Sequence, residues 1–329
     1  MINRVLLYNS GGGVGDALQI LPLINVLKKE FNSANFYYLC AHENHFNSTL
    51  VDFNNKIETL NLGIKYFGFR WWHSLIIKNR IKKYDVKKFD LIIDLQSKIR
   101  NSLLLKMIPH EHFISSCLNF KFSNPKINVK KEKKINNKIL KAINYVYQKE
   151  FKLVDFDLNK IDKKFFSESE KLLPRNNYVG FSITQGNVYR KKEWPLNKII
   201  DTCNRIKEKN KIPVFLIEKK NVELKKKISN LLPEALFPEH ETNIISPALV
   251  TCLGTRLEFA ITIDNGVMHM LSLAKVPIIS LFGPTDSDKF APEYKNSVSL
   301  DSKKLYNTKD LSAITVEDVL TAAKQFVNF

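Results

Sequence analysis

The chain has 329 residues, of which 51 are lysine or arginine and 33 aspartate or glutamate, for a formal net charge of +18. That length exceeds one typical core and suits two domains, and 44% hydrophobic residues is the content of an ordinary globular protein. No apolar run approaches the roughly 18 residues of a membrane-spanning helix, and the four cysteines stand too far apart in sequence to form a metal-type pair. Met1 to Leu7 is too short for the apolar core of a signal peptide, so the expected location is the cytoplasm. The excess charge favours an anionic partner, whether nucleic acid, a membrane surface or a phosphorylated substrate. Lysine, asparagine and isoleucine abound throughout, however, and a merely solvated basic surface accounts for the charge equally well. The stretch Lys126, Lys130, Lys131, Lys133, Lys134, Lys138 and Lys141 has only Glu132 as a counter-charge. It lacks interleaved aromatics and any accompanying RNA- or DNA-binding motif, so no nucleic acid is expected, and docking to an anionic surface is its candidate role.

Short apolar runs alternate with helical patterns, which predicts an α/β protein with parallel sheets. Val5 to Tyr8 reads as a buried strand, Ser10 to Gly15 as a loop and Ala17 to Phe31 as a helix. Phe36 to Leu39 and Leu91 to Leu95 are further strands, followed by helices at about Ile99 to Met107 and Asn137 to Lys149. The polar stretch from Asp155 to Asn177 contains no clear strand and reads as the connection between domains. A second alternating series follows, with strands at Tyr178–Thr184, Val214–Ile217, Phe259–Ile263 and Ile278–Phe282. Its helices are Leu196–Lys209, Glu223–Leu232 (closed by Pro233), Val267–Ala274 and Val316–Phe326. The expected domains are 1–160 and 175–312, with a last helix within 313–329 packing back on the first domain. Two doubly wound halves place a ligand at the carboxyl ends of their strands, in the cleft between them.

Four motifs carry candidate chemistry. Ser10-Gly11-Gly12-Gly13-Val14-Gly15-Asp16 joins a strand to a helix, and glycines there allow tight turns and close backbone approach. Neither the dinucleotide fingerprint nor the Walker pattern is met. Asp16 is either a helix cap or a general base aimed into the cleft. Asp264-Asn265-Gly266-Val267-Met268-His269 lies at another strand-to-helix junction, where a helix N-terminus attracts a diphosphate. His269 is three residues on from Gly266 and points at the same ligand, or is a core histidine. Lys192-Glu193-Trp194-Pro195 offers Lys192 as a point charge for phosphate, with Arg190 and Lys191 beside it in what is otherwise a solvated cluster. Phe282-Gly283-Pro284-Thr285-Asp286 is a turn that Gly and Pro explain structurally.

In order and spacing these motifs resemble the heptosyltransferase family, glycosyltransferase family nine. The resemblance rests on Gly15-Asp16 followed by Leu21-Pro22, on Asp94-Leu95-Gln96 followed by Arg100, on Lys192 to Pro195, on Asp264, Gly266 and His269, and on Phe282 to Asp286. It covers nearly the whole chain apart from about His42 to Tyr84 and Pro109 to Asn176. It implies a GT-B type fold of two Rossmann-like domains, the first binding the acceptor and the second the nucleotide sugar. It also implies metal-independent, inverting transfer of heptose from ADP-heptose onto a lipopolysaccharide-core or related anionic glycolipid, with peripheral contact at the inner face of the cytoplasmic membrane. By this likeness Asp16 is the base. Thr184, Lys192, Glu223, Asp264, Asn265, Gly266 and His269 hold the donor, Glu223 at the ribose. Gly13, Gly15, Gln96 and Arg100 meet the acceptor, and no cofactor or metal is expected. Two other readings stay open: a sugar-nucleotide epimerase of the same architecture, which needs further acid and base residues, and a non-catalytic nucleotide- or nucleic-acid-binding protein.

Overall fold

The computed structural model describes residues 2–185 and 192–326. The chain divides into two compact units, Met1–Phe156 and Asp157–Phe329.

The first unit begins with β1 (Arg4–Asn9), whose Val5, Leu6, Leu7 and Tyr8 are fully buried, as befits the central strand of a parallel sheet covered on both faces. The helix predicted from Ala17 to Phe31 is two helices, α1 (Val14–Gln19) and α2 (Leu21–Glu30), which meet at Ile20. Pro22 is the reason. In a continuous helix it would remove a backbone hydrogen bond and clash with the preceding turn, whereas at the second position of a new helix it costs nothing. There follow β2 (Asn35–Cys40), the two-residue β3 (Glu58–Thr59), α3 (His73–Lys83), β4 (Phe89–Asp94), α4 (Ile99–Leu105), β5 (His110–Ser115) and α5 (Ile135–Tyr147). All five strands are parallel, in the order β3-β2-β1-β4-β5. The chain winds outward from β1 to β3, then returns to β4 on the other side of β1. The carboxyl ends of β1 and β4 therefore flank the topological switch point. On one sheet face Leu6, Tyr8, Phe89, Ile92 and Phe113 pack with Ile77 of α3 and Leu104 and Leu105 of α4.

The second unit starts earlier than the sequence predicts. The stretch read as a connection contains α6 (Lys163–Leu172), whose start is capped by Asp162 accepting from the Lys164 N–H at 2.9 Å. It buries Phe165 and Ser169 and packs on a helix of its own unit. Only two positions of this charged helix are buried, so it carries little apolar periodicity. Then come β6 (Tyr178–Ser182), α7 (Leu196–Lys207), β7 (Ile212–Phe215), α8 (Val222–Leu231), α9 (Pro247–Gly254), which receives α6, and β8 (Leu257–Ile263). The unit closes with α10 (Gly266–Leu273), β9 (Ile278–Phe282), α11 (Ser287–Phe290), β10 (Ser297–Asp301), α12 (Ser302–Tyr306) and α13 (Val316–Ala323). The strands are again parallel, in the order β10-β9-β8-β6-β7, with the switch between β6 and β8. The last helix is built into the core of its own unit. Val319, Ala322 and Ala323 of α13 belong to the second unit's core, where α13 lies on α7. The preceding chain is pinned there by the Trp194 indole N–H donating to the Ile314 carbonyl at 3.0 Å. Among the described residues no helix is long and apolar enough to cross a membrane.

Asp94 ends β4 with no exposed surface. Its Oδ2 accepts from the hydroxyls of Ser102 (2.6 Å) and Ser115 (2.8 Å) and its Oδ1 from the Gln96 N–H (2.9 Å), fastening β4 to α4 and β5. Burial pushes its carboxyl from an ordinary 3.8 up to about 6, against the pull of these hydrogen bonds. The folded state therefore holds a proton that the unfolded chain has lost between roughly pH 4 and 6, and this group's contribution to stability falls as pH rises through that window. Asp94→Asn retains an acceptor, and the serine hydroxyls reorient to its amide. Urea unfolding from pH 4 to pH 7 is expected to show a decline on the order of 1–3 kcal/mol in the wild type that the variant lacks. Parallel pH profiles would remove Asp94 as its source.

Candidate functional sites at the two switch points

In the first unit Asn9, buried at the end of β1, organises the glycine loop. Its Oδ1 accepts from the Gly11 N–H (2.9 Å) and from Gln96 Nε2 (2.7 Å), and its Nδ2 donates to the Asp16 carbonyl (3.4 Å). Asp16 is exposed in the first turn of α1, and one carboxylate oxygen accepts a long hydrogen bond from the Gly13 N–H at 3.4 Å. Both readings of Asp16 thus meet in one place: it caps its helix weakly and remains open to solvent. Gly11 and Gly12 are needed for room rather than for a left-handed backbone, since neither has positive φ. A Cβ on Gly11 would lie 2.6 Å from the Asp16 carboxyl carbon, and one on Gly12 2.6 Å from the His42 ring. Gly13 precedes α1, and Gly15 already lies inside its first turn rather than in the loop.

Gln96 is half-buried and its amide is engaged by Asn9, while Arg100 stands exposed in the first turn of α4. Burial lowers the pKa of His73, and the charges of Arg100 and Arg70 push it the same way. The sequence reading missed His42, His45, Phe69 and Lys98. His45 Nε2 lies 3.2 Å from the Gly12 carbonyl, the His42 ring packs edge-on 6.3 Å from Phe69, and Lys98 Nζ stands 5.6 Å over the Phe69 ring. One signal did point to the histidines: they follow β2, the parallel neighbour of β1, whose trailing loop rims the same sheet edge.

In the second unit Asn265 does the equivalent joining. Its Oδ1 caps α10 by accepting from the Met268 N–H (3.0 Å), and its Nδ2 donates to the Ser182 hydroxyl (2.8 Å) and the Thr184 carbonyl (2.9 Å). Its side chain is thereby committed to joining β8 to β6. Lys192, read in the sequence as a point charge for phosphate, is paired with a carboxylate. Its Nζ donates to Asp264 Oδ2 (2.6 Å) and to the Asp264 carbonyl (2.9 Å), with both side chains about a tenth exposed. The cause is topological, because Asp264 follows β8 and Lys192 comes after β6, its neighbour. Gln185 accepts from the Lys192 N–H (2.9 Å) and donates to Glu193 (2.6 Å); Arg190 and Lys191 lie outside the described residues. Gly266 opens α10, the half-buried His269 sits one turn into it, and Glu223 is exposed in the first turn of α8.

Glu239 went unnoticed in the sequence. Burial, and then the nearby Glu218, pushes its carboxyl up to about 7, and its buried Oε1 has no hydrogen-bond partner among the described residues. The Phe282–Asp286 turn has a packing reason, since a Cβ on Gly283 would lie 2.7 Å from the Lys309 carbonyl. Among the described residues no three His, Cys, Asp or Glu side chains gather as metal ligands do.

No curated protein matches the chain. Among solved structures, the glycosyl transferase family 9 protein of Veillonella parvula DSM 2008 is 18% identical, with a TM-score of 0.65, over 98% of this chain and 97% of that one. Escherichia coli heptosyltransferase WaaC with ADP-2-deoxy-2-fluoro heptose is 17% identical, with a TM-score of 0.68, over 98% and 100%. The ADP-heptose lps heptosyltransferase II of E. coli is 14% identical, with a TM-score of 0.65, over 99% and 98%. These likenesses establish a shared fold, the pair of Rossmann-like units of the GT-B class. The family model of glycosyltransferase family 9 (heptosyltransferase) matches residues 78–320, well over half of the sequence, and the chain belongs to that family.

Proposed function

We propose that the chain transfers a heptose from ADP-heptose, with inversion, onto an anionic glycolipid acceptor of the lipopolysaccharide-core type at the inner face of the cytoplasmic membrane. The observation that carries this reading is a pair of charged groups at two equivalent places. The first unit presents an exposed carboxylate, Asp16, at its switch point, and the second holds an ammonium, Lys192, at its own, tethered by Asp264. Transfer needs both. The acceptor hydroxyl is a poor nucleophile until a base takes its proton as the new bond to the anomeric carbon forms. The bond from that carbon to the diphosphate breaks on the opposite face, and negative charge grows on the departing phosphate oxygen. Lys192 and the N-terminal amides of α10 at Gly266 neutralise that charge. Thr184, Asp264 and His269 line the diphosphate and sugar, Asn265 holds that edge in shape, and Glu223 receives the ribose hydroxyls. Arg100, Gln96, Gly13 and Gly15 meet the acceptor. Support for the donor comes from family membership and from the neighbour solved with an ADP-heptose analogue.

The decisive experiment is Asp16→Asn. Asparagine caps a helix nearly as well as aspartate but takes no proton, so the unfolding midpoint is expected to hold while kcat falls by roughly 10² to 10⁴. Wild-type turnover by the variant would remove Asp16 as the base.

Lys192→Ala is expected to lower kcat/KM on the order of 10²-fold and also to destabilise the fold, because the mostly buried Asp264 carboxylate loses its partner. Adding Asp264→Asn is expected to recover the unfolding midpoint without recovering transfer. Recovery of both would reduce Lys192 to an ion-pair partner.

A lysine and a helix N-terminus take the place that Mg²⁺ fills in other nucleotide-sugar sites. Release of ADP from ADP-heptose in the presence of acceptor is expected to continue in EDTA. Loss of ADP release with rescue by Mg²⁺ would overturn the metal-independent account.

A further inference from the structure

Between Glu58 and Asp85 the chain carries six basic residues, Lys65, Arg70, Lys78, Arg80, Lys82 and Lys83, and no acidic one. The same stretch exposes Tyr66, Phe69, Trp71, Trp72 and Leu75, with Trp71 at 71% and Leu75 at 67%. The chain's third tryptophan, Trp194, is buried.

This exposure does not come from a loosely held loop. Phe67 is fully buried and packs edge-on against Tyr8 at 5.5 Å, and the Tyr8 hydroxyl donates to the Phe67 carbonyl at 3.1 Å. The Gly68 N–H donates to His73 Nδ1 at 3.1 Å, and Gly68 itself, at φ +82°, has no room for a Cβ beside Asn101 and Tyr8. Trp71, Leu75, Lys78 and Lys82 follow at helical spacing along α3 and the turn that leads into it, on the side away from the buried His73 and Ile77. The stripe is apolar at its start and basic at its end. Lys78 and Lys82 have no carboxylate or carbonyl partner among the described residues.

Amphipathic aromatic rings favour the membrane–water interface, and lysines on the same face are drawn to anionic headgroups. We infer that this ridge, Trp71 and Leu75 continued by Lys78 and Lys82, seats the first unit on an anionic phospholipid surface. The inference rests on the reading of the acceptor as a membrane glycolipid, and the ridge adjoins the acceptor side of that reading. Phe69 lies beneath Lys98 and beside His42, whose ring fills the place a Cβ on Gly12 would take. The stretch from Lys126 to Lys141 fits less well. Lys138 donates to the Ser116 carbonyl, Lys141 pairs with Glu132, and no large apolar side chain is exposed between them and Lys126.

The test is co-sedimentation of the full chain with vesicles of phosphatidylcholine, alone or mixed with phosphatidylglycerol. The wild type is expected to bind the anionic vesicles and to ignore the zwitterionic ones. Trp71→Ser with Leu75→Ser is expected to lower the partition coefficient by roughly tenfold or more at every salt concentration. Lys78→Gln with Lys82→Gln is expected to lower it at low salt, by a factor that shrinks as salt screens the charges. Lys130→Gln with Lys131→Gln is expected to leave it unchanged. Wild-type partition by the Trp71/Leu75 variant overturns the inference, as does loss from the Lys130/Lys131 change alone. A wild type that ignores anionic vesicles also overturns it and leaves the ridge to a protein partner. Transfer onto a water-soluble acceptor stripped of its acyl chains is expected to be equal in the wild type and the ridge variants. Its absence from both would count against the proposed reaction and not against the ridge, which the vesicles decide independently.

Discussion

Both units depend on how the polar groups left over where two parallel strands part are satisfied. At a switch point the backbones diverge with N–H and C=O groups that no neighbouring strand can pair. Each unit answers with one asparagine, whose amide both accepts and donates. Asn9 links the end of β1 to Gln96 beyond β4 and holds the first N–H of the glycine loop. Asn265 links β8 to Ser182 and Thr184 beyond β6 and caps the helix that follows. Aspartate has no N–H with which to donate, and leucine would leave several partners unmet inside the protein, at a cost of about 1–3 kcal/mol each. These joints set the distance between neighbouring strand ends, and hence the positions of Asp16 and Lys192.

The charged groups at the two edges are held differently. Asp16 sits on the rim of a loop that tolerates only glycine beneath it, with one weak hydrogen bond, so its carboxylate stays available. Lys192 is kept mostly out of water by a pairing with Asp264 that a bound polyanion would have to share. A tethered ammonium loses less side-chain freedom when a ligand arrives than a free one does, and a partly desolvated pair feels a new charge more strongly than one in bulk water. Asp94 contrasts with both: it is enclosed by two serine hydroxyls and an N–H, and it holds strands rather than ligands.

Where burial was periodic or continuous, the sequence was readable. Ile278–Phe282 is a strand between the very residues its pattern marks, and the central strands β1, β4 and β8 each lie within two residues of their predicted start. Elements without that signal were lost. In α9 every residue after the leading proline is buried, so no polar face sets a period. Strand β10 is a short edge strand with alternating serines, and α6 buries only two positions. Candidate positions were legible where a motif lay next to a strand end, and the structure places Asp16, Lys192 and Asp264 beyond the ends of β1, β6 and β8. The pairings across each sheet were not legible, because Gln96 reaches Asn9, Lys192 reaches Asp264 and Asn265 reaches Ser182 from a neighbouring strand, and no spacing along the chain encodes a contact across a sheet.

The large positive charge divides in the same way. Several lysines act as straps on backbone carbonyls that end a helix or turn. Lys198 donates to the carbonyls of Ser312 and Ile314, Lys219 to that of Thr242, Lys28 to that of Lys56 and Lys303 to that of Thr285. An ammonium offers three donors on a flexible stem, and it satisfies carbonyls that have lost their intrahelical partners. This part of the +18 is neither compositional surplus nor a ligand site; it is internal wiring. Lys78 and Lys82 do none of it, and they stand beyond two exposed apolar side chains on a segment without a single carboxylate. Total charge alone does not separate these roles. Whether an ammonium finds an acceptor inside the fold does, and by that measure α3 turns its unspent charge outward.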